Sequence, residues 1–281
     1  MAIREIDTGL VTAAVRRLCL EATTVLNPDV IAAFEKGLAQ ETSPQGREVF
    51  AQLLENAAIA GRESISLCQD AGMAVVFVEL GQDVHLAGAP LAEAVDEGVR
   101  RGYAQGYLRP STLDPISREN FGDNTPAIIH LEMVPGDAVK IHVLPKGFGG
   151  ENMSRVVLFP PGAGLQGVRE FVVERVREAG ANPCPPVIVG VGLGGNFEKC
   201  ALIAKKSLLR PVGQPHPDPA VARLEAELLQ AVNRTGVGPQ GLGGRVTALA
   251  VHVETYPTHI GSLPVAVNLQ CHSHRCKSAV L

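Results

Sequence analysis

The stretch Ser66–Leu80, SLCQDAGMAVVFVEL, sets a thiol and a carboxylate, Cys68 and Asp70, at the mouth of an apolar, β-branched run that reads as a buried strand. Cys68 could act there as a ligand and Asp70 as an acid or base. Two other cysteines share the placement. Cys184 opens Cys-Pro-Pro before the run VIVGV, and Cys271 closes VAVNLQC. Strand-to-turn junctions can gather on one edge of a sheet, so three ligands far apart in sequence could meet in space. Cys19 and Cys200 lie inside helix patterns instead, and Cys19 falls on an apolar face, where a thiol packs as a small hydrophobe. Three thiolates without a fourth suit an iron–sulfur cubane with one open iron. Such an iron can polarise a hydroxyl and a carboxylate, and a nearby carboxyl group can protonate a departing hydroxide. A local alternative is Cys271-His-Ser-His274-Arg-Cys276, with soft and borderline ligands suited to zinc, although adjacent residues do not converge easily.

Gly190-Val-Gly192-Leu-Gly194-Gly195 satisfies the G-x-G-x-x-G pattern of a dinucleotide site, after a strand and before a helix. A second strand ending in an acid should then follow about 20 residues on. The helix runs instead into PVGQPHPDP, where prolines prevent a central strand. What survives is exposed backbone N–H groups at a helix N-terminus, an anion site, with a nucleotide-binding module as the alternative function.

The elements that must position these residues follow from periodicity and punctuation. Helices are expected at 8–26, after Asn27-Pro28, after Ser43-Pro44, and at 90–107, 163–179, 196–209 and 219–233. Strand-like runs are AIIHLEM (127–133) and AVKIHVL (138–144), joined through Pro135-Gly136-Asp137 as a hairpin, then RVVLF, VIVGV, RVTALAVHVET and VAVNLQC. The irregular alternation predicts a mixed α/β fold with a mixed sheet flanked by helices. It is read as one domain over 1–281, with a helical section at 1–65 and an α/β section at 66–281. The 281 residues are 46% hydrophobic but only 4% aromatic, so the core is aliphatic. A net charge of −4 without a basic stripe argues against nucleic acid, and no run reaches the roughly 18 apolar residues of a membrane span. The acids Glu5 and Asp7 argue against a transit peptide, and six cysteines are too sparse for a disulfide scaffold, so a cytoplasmic protein is expected.

CQDAGMAVVFVELGQDVH, KGFGGENMSR, CPPVIVGVGLGGNFEKCALIAKKSL and LPVAVNLQCHSHRCKSAVL, in this order, resemble the class I, iron–sulfur fumarate hydratases across nearly the whole chain. L-tartrate dehydratase α subunits share these motifs. The resemblance implies a 4Fe–4S cluster on Cys68, Cys184 and Cys271, and Asp70 as the acid. It further implies substrate contacts from Gln69, Arg109, the backbone of Gly149 and Gly150, and His259. The substrate would be a dicarboxylate, with reversible hydration of fumarate to (S)-malate. The chain stops just after the last motif of the family's N-terminal half. It is therefore expected to be an α subunit that needs a separate β subunit, in an α2β2 assembly. Ala71 stands where the family commonly has threonine, and His274 and Cys276 depart from the usual pattern after the third cysteine.

Overall fold

The computed structural model describes residues 3–281. It is a mixed α/β fold whose chain forms two compact units, each assembled from separate stretches of the sequence. One contains the N-terminal segment to Leu26, Ala57–Gly147 and Arg275–Leu281. The other contains Asn27–Asn56 and Phe148–His274.

In the first unit the SLCQDAG turn feeds β2 (Met73–Gly81), whose run AVVFV is buried throughout. β2 pairs in parallel with β4 (Ile128–Val134) and antiparallel with β5 (Val139–Lys146), and β10 (Lys277–Val280) closes the far edge antiparallel to β5. The expected hairpin between the two runs at 127–144 is therefore not formed. β2 lies between β4 and β5, and its end enters the turn: the N–H groups of Gln82, Asp83 and Gly81 donate to the carbonyls of Val134, Gly136 and Ala138. Two short strands, β1 (Arg4–Asp7) and β3 (Val84–Ala87), form a separate parallel pair.

Helix α1 (Thr8–Thr24) starts where Asp7 accepts the Gly9 N–H at 2.6 Å, a side-chain N-cap. It packs on α4 (Leu91–Gln105) through glycines. A Cβ on Gly98 would stand 2.7 Å from Val15 Cβ, and one on Gly102 2.8 Å from Cys19 Cβ. Val11, Val15, Leu18 and Cys19 of α1 join Val95, Val99 and Tyr103 of α4 and Val76, Ile141 and Val143 of the sheet in one core.

The second unit is built on a sheet in the order β6 (Arg155–Phe159), β9 (Leu263–Gln270), β7 (Val187–Gly194), β8 (Ala248–Tyr256). β7 runs parallel to β8 and antiparallel to β9. Alternation of side chains divides its contacts between two faces. Val187, Val189 and Val191 meet α6 (Gly164–Ala179) and α8 (Pro219–Asn233). The other face meets α7 (Phe197–Ser207), which presses so close that a Cβ on Gly190 would stand 2.2 Å from the Ala204 carbonyl oxygen and one on Gly192 2.0 Å from that of Cys200. Those two glycines therefore sit inside a strand and serve helix–sheet packing, not the strand-to-helix turn of a dinucleotide site. Helix α2 (Pro28–Gln40) opens with Pro28 at its first position and leads to Glu41. The Glu41 carboxylate accepts the backbone N–H groups of Thr42, Ser43, Arg245 and Val246 at 2.8–3.0 Å. Helix α3 (Pro44–Glu63) contributes to both units.

Candidate active site

In the first unit the residues before β2 are fixed from several sides. Ser66 Oγ donates to the Cys68 carbonyl at 2.8 Å, and Asp70 Oδ1 accepts the Gly72 N–H at 2.9 Å. Gly72 adopts φ +74, and a Cβ there would lie 2.6 Å from the Lys146 backbone, so only glycine lets the turn close against β5. The Tyr103 hydroxyl donates to the Ala71 and Gly72 carbonyls at 2.8 and 3.2 Å. Burial pushes this phenol well above its ordinary pKa, so it stays a donor. Arg275, 1% exposed, donates through Nη1 to the Asp70 carbonyl at 2.5 Å. Cys68 and Asp70 are half-buried, and Gln69 is exposed.

Arg109 lies on the loop after α4. Asn124, fully buried with φ +61, anchors that loop to the Asp70 turn. Its Oδ1 accepts the Ser111 N–H at 2.7 Å and its Nδ2 donates to the Gly72 carbonyl at 3.1 Å. Arg109 is exposed, and its guanidinium makes no hydrogen bond or ion pair among the described residues, so it is open to an anion. The same loop exposes Tyr107 (97%), Ile116 (92%) and Phe121 (52%).

In the second unit the antiparallel pairing of β7 and β9 brings the start of one beside the end of the other, Ile188 opposite Gln270. Cys184 and Cys271 flank those ends, and the His272 N–H donates to the Cys184 carbonyl at 3.3 Å. Cys184 is exposed and held at φ +53, a conformation that side chains other than glycine rarely adopt. Gly149, in the single turn α5 (Phe148–Glu151), packs beside the residues preceding Cys184: its Cβ would stand 2.8 Å from the Asn182 carbonyl oxygen. Glu151 pairs with Lys205 of α7 and accepts Asn268 Nδ2 at 3.1 Å. Ser154 Oγ bridges the Gly150 carbonyl and the Leu269 N–H at 3.0 and 3.1 Å. Gly149, Gly150, Cys184 and Cys271 thus share one end of the sheet.

His259 does not join them. It occupies the loop after β8, where Gly195 donates to the Pro257 carbonyl, at the opposite end of β7 from Ile188 and Gln270. Eight strand residues at about 3.3 Å each separate the two ends. There His259 lines a small pocket with Leu165, Thr258 and Ile260, and its Nδ1 accepts the Gly261 N–H.

The sulfurs differ sharply in character. Cys19 is fully buried and its thiol is pushed up to about 12; Cys200 is also raised by burial. Cys68, Cys184 and Cys271 have solvent access, at strand ends. Their donor chemistry fits an iron–sulfur cluster, in which each thiolate takes a separate iron, so the sulfurs need not share the coordination sphere of one ion. Among the described residues no three His, Cys, Asp or Glu side chains form a group that could hold a single metal ion, and this applies equally to the tail Cys271–Cys276. In that tail His272 packs against the Phe34 ring while His274 is buried.

Glu151, Lys205, Asn268 and Arg275 carried no assignment in the sequence. Each stood inside one of the long motifs, which was the available signal. Their partners are too distant in the chain to be read locally.

In one unit a thiol and a carboxylate precede a buried strand, and in the other two thiols flank strand ends beside glycine-rich backbone. The sequence model of the family described as fumarate hydratase (Fumerase) matches residues 12–280. A Methanocaldococcus jannaschii protein provisionally named L(+)-tartrate dehydratase subunit alpha is 38% identical over 261 residues, covering 91% of this chain and 92% of that protein. The L(+)-tartrate dehydratase subunit alpha of Escherichia coli strain K12 is 32% identical over 257 residues, covering 90% and 84%; that of strain UTI89 is 33% identical over the same length. The chain belongs to the fumarate hydratase (Fumerase) family and is of hydro-lyase type.

Proposed function

We propose that the protein is the α subunit of a two-subunit iron–sulfur hydro-lyase that interconverts fumarate and (S)-malate. The observation that carries the reading is the set of accessible thiols at strand ends, Cys184 and Cys271 together beside Gly149, with Cys68 two residues before Asp70, in a chain matched by the family over residues 12–280. A cluster held by these three supplies, when bound, an open iron that acts as a Lewis acid toward substrate oxygen.

The chain's own residues do the rest. Asp70, whose turn is held by the Gly72 N–H donating to Oδ1, exchanges the proton with the departing hydroxyl. Arg109 takes a substrate carboxylate by charge-assisted hydrogen bonds, with Gln69 exposed beside Asp70 and the Gly149–Gly150 backbone as further contacts. A β subunit completes the site, in an α2β2 assembly. Support comes from the name "subunit alpha" borne by the relatives and from the ordered loop that exposes Tyr107, Ile116 and Phe121, large apolar groups of the kind that seat in a partner.

A second reading, dehydration of L-tartrate to oxaloacetate, is favoured by the relatives' names. The α chain assembled anaerobically with its β subunit, its iron and sulfide measured, should turn over malate and fumarate with a higher kcat/KM than L-tartrate. The reverse ratio selects the second reading. Loaded complex inert toward all three would refute both.

A further inference from the structure

Arg275 is among the largest fully buried side chains of the protein. Its guanidinium is permanently charged, and burying such a group without a counter-ion is strongly unfavourable. Yet among the described residues it forms no ion pair, and Nε is buried with no hydrogen-bond partner. Its one hydrogen bond runs from Nη1 to the backbone carbonyl of Asp70. The neighbouring carbonyls of Ala71 and Gly72 are already held by Tyr103 and Asn124. A neutral donor would have satisfied the carbonyl of Asp70 as well, so the turn alone does not account for a cation.

Gly147 supplies the second observation. A Cβ built on it would lie 3.1 Å from Arg275 Nη2 and 3.1 Å from Asp70 Oδ2. The guanidinium and the carboxylate therefore face the same small space, left open because residue 147 has no side chain. Gly147 has none of the positive φ that would itself require glycine.

We propose that Arg275 is a positioning residue for the reaction, acting through Asp70. It fixes the turn by the Asp70 carbonyl and sets the orientation of the Asp70 carboxylate across the space that Gly147 keeps clear. The inference rests on the reading of Asp70 as the group that exchanges the proton. Misplacement of a reacting group by about 1 Å lowers rate on the order of 10²-fold.

The test uses the cluster-loaded αβ complex. Arg275→Met should lower kcat about 10²-fold with KM within about threefold of wild type. Amide exchange in the segment 66–73 should speed up at least about tenfold. Gly147→Ala, which removes no polar group and asks both side-chain ends to shift by a few tenths of an ångström, should lower kcat in the same direction by a smaller factor. In a double-mutant cycle, Asp70→Asn with Arg275→Met should be no slower than Asp70→Asn alone. Near-wild-type kcat in both Arg275→Met and Gly147→Ala, with Asp70→Asn impaired, overturns the positioning role and leaves the reading of Asp70 standing. Additive losses in the cycle also overturn it. Near-wild-type kcat in Asp70→Asn overturns the reading itself. Should Arg275→Met not assemble, Gly147→Ala decides alone: normal kcat there refutes the proposal.

Discussion

Glu41 offers a stability prediction that can be worked from distances. Its side chain, 2% exposed, stands between α2 and the glycine-rich segment that leads into β8. Oε1 accepts the N–H groups of Thr42, Ser43 and Arg245 at 2.8, 2.9 and 3.0 Å; Oε2 accepts those of Arg245 and Val246 at 2.9 and 3.0 Å. Burial alone would raise the pKa of this carboxyl. The hydrogen bonds from Ser43, Arg245, Val246 and Thr42 outweigh burial and hold it below the ordinary range. Glu41→Gln preserves size, but one of its two terminal atoms becomes a donor facing donors. In the less costly orientation the amide nitrogen takes the place of Oε2: the Val246 N–H loses its acceptor, at about 1–3 kcal/mol, and the bonds from Thr42, Ser43 and Arg245 to the remaining oxygen lose their charge assistance, so the unit should lose roughly 2–5 kcal/mol. At about 2–4 °C per kcal/mol the expected fall in Tm is on the order of 5–15 °C at pH 7. The sign with pH follows from the depressed pKa. The stabilisation is present above the unfolded carboxylate pKa and is lost as pH falls through the lower folded value. The gap between wild type and Glu41→Gln should therefore narrow in acid. Thermal unfolding followed by circular dichroism between pH 7 and 3.5 measures it. A gap under about 1 °C at pH 7, or one that stays constant into acid, refutes the argument.

Three further outcomes are expected. Cys68→Ser, Cys184→Ser and Cys271→Ser should each abolish iron and sulfide loading while Cys19→Ser retains it; full loading in Cys184→Ser would remove that residue from the ligand set. Gly192→Ala drives a Cβ toward the Cys200 carbonyl, so it should destabilise by about 1–3 kcal/mol or more, whereas Gly162→Ala, facing open space, should leave Tm within a degree or so. His252 is buried among Arg210 and His274, and burial, then those charges, lowers its pKa to about 4. The unfolded chain binds a proton there at about pH 6.5 that the folded chain refuses. Stability should then decline as pH falls from about 6.5 to 4, by up to about 3 kcal/mol, and His252→Gln should flatten that slope in urea titrations.

The parts of this molecule that were legible in its sequence are those whose signal is local. Pro28 after Asn27 does open a helix, and the β-branched runs are strands, because capping and side-chain alternation act over a few residues. The turn at Pro135-Gly136-Asp137 was visible for the same reason. Which strands it would pair was not, because the chemistry that reverses a chain is the same whether the flanking strands meet or a third enters between them. Here β2 enters, and a Cβ on its Gly81 would stand 2.4 Å from the Gly136 carbonyl oxygen. The glycines of the sequence Gly190–Gly195 mislead in the same way. Absence of a side chain serves close packing against α7 as well as approach to a pyrophosphate, and only the identity of the neighbour distinguishes the two. The same limit applies to the site. Cys184 and Cys271 were legible as strand-end thiols, since a soft donor at such a junction has few packing explanations. Arg275 was not, although it lies four residues past Cys271, because its meaning depends on Asp70, 205 positions away. A charged residue in a tail is ordinarily solvated. Burial without an ion pair among the described residues is what changes its interpretation, and burial is a property of the folded chain alone.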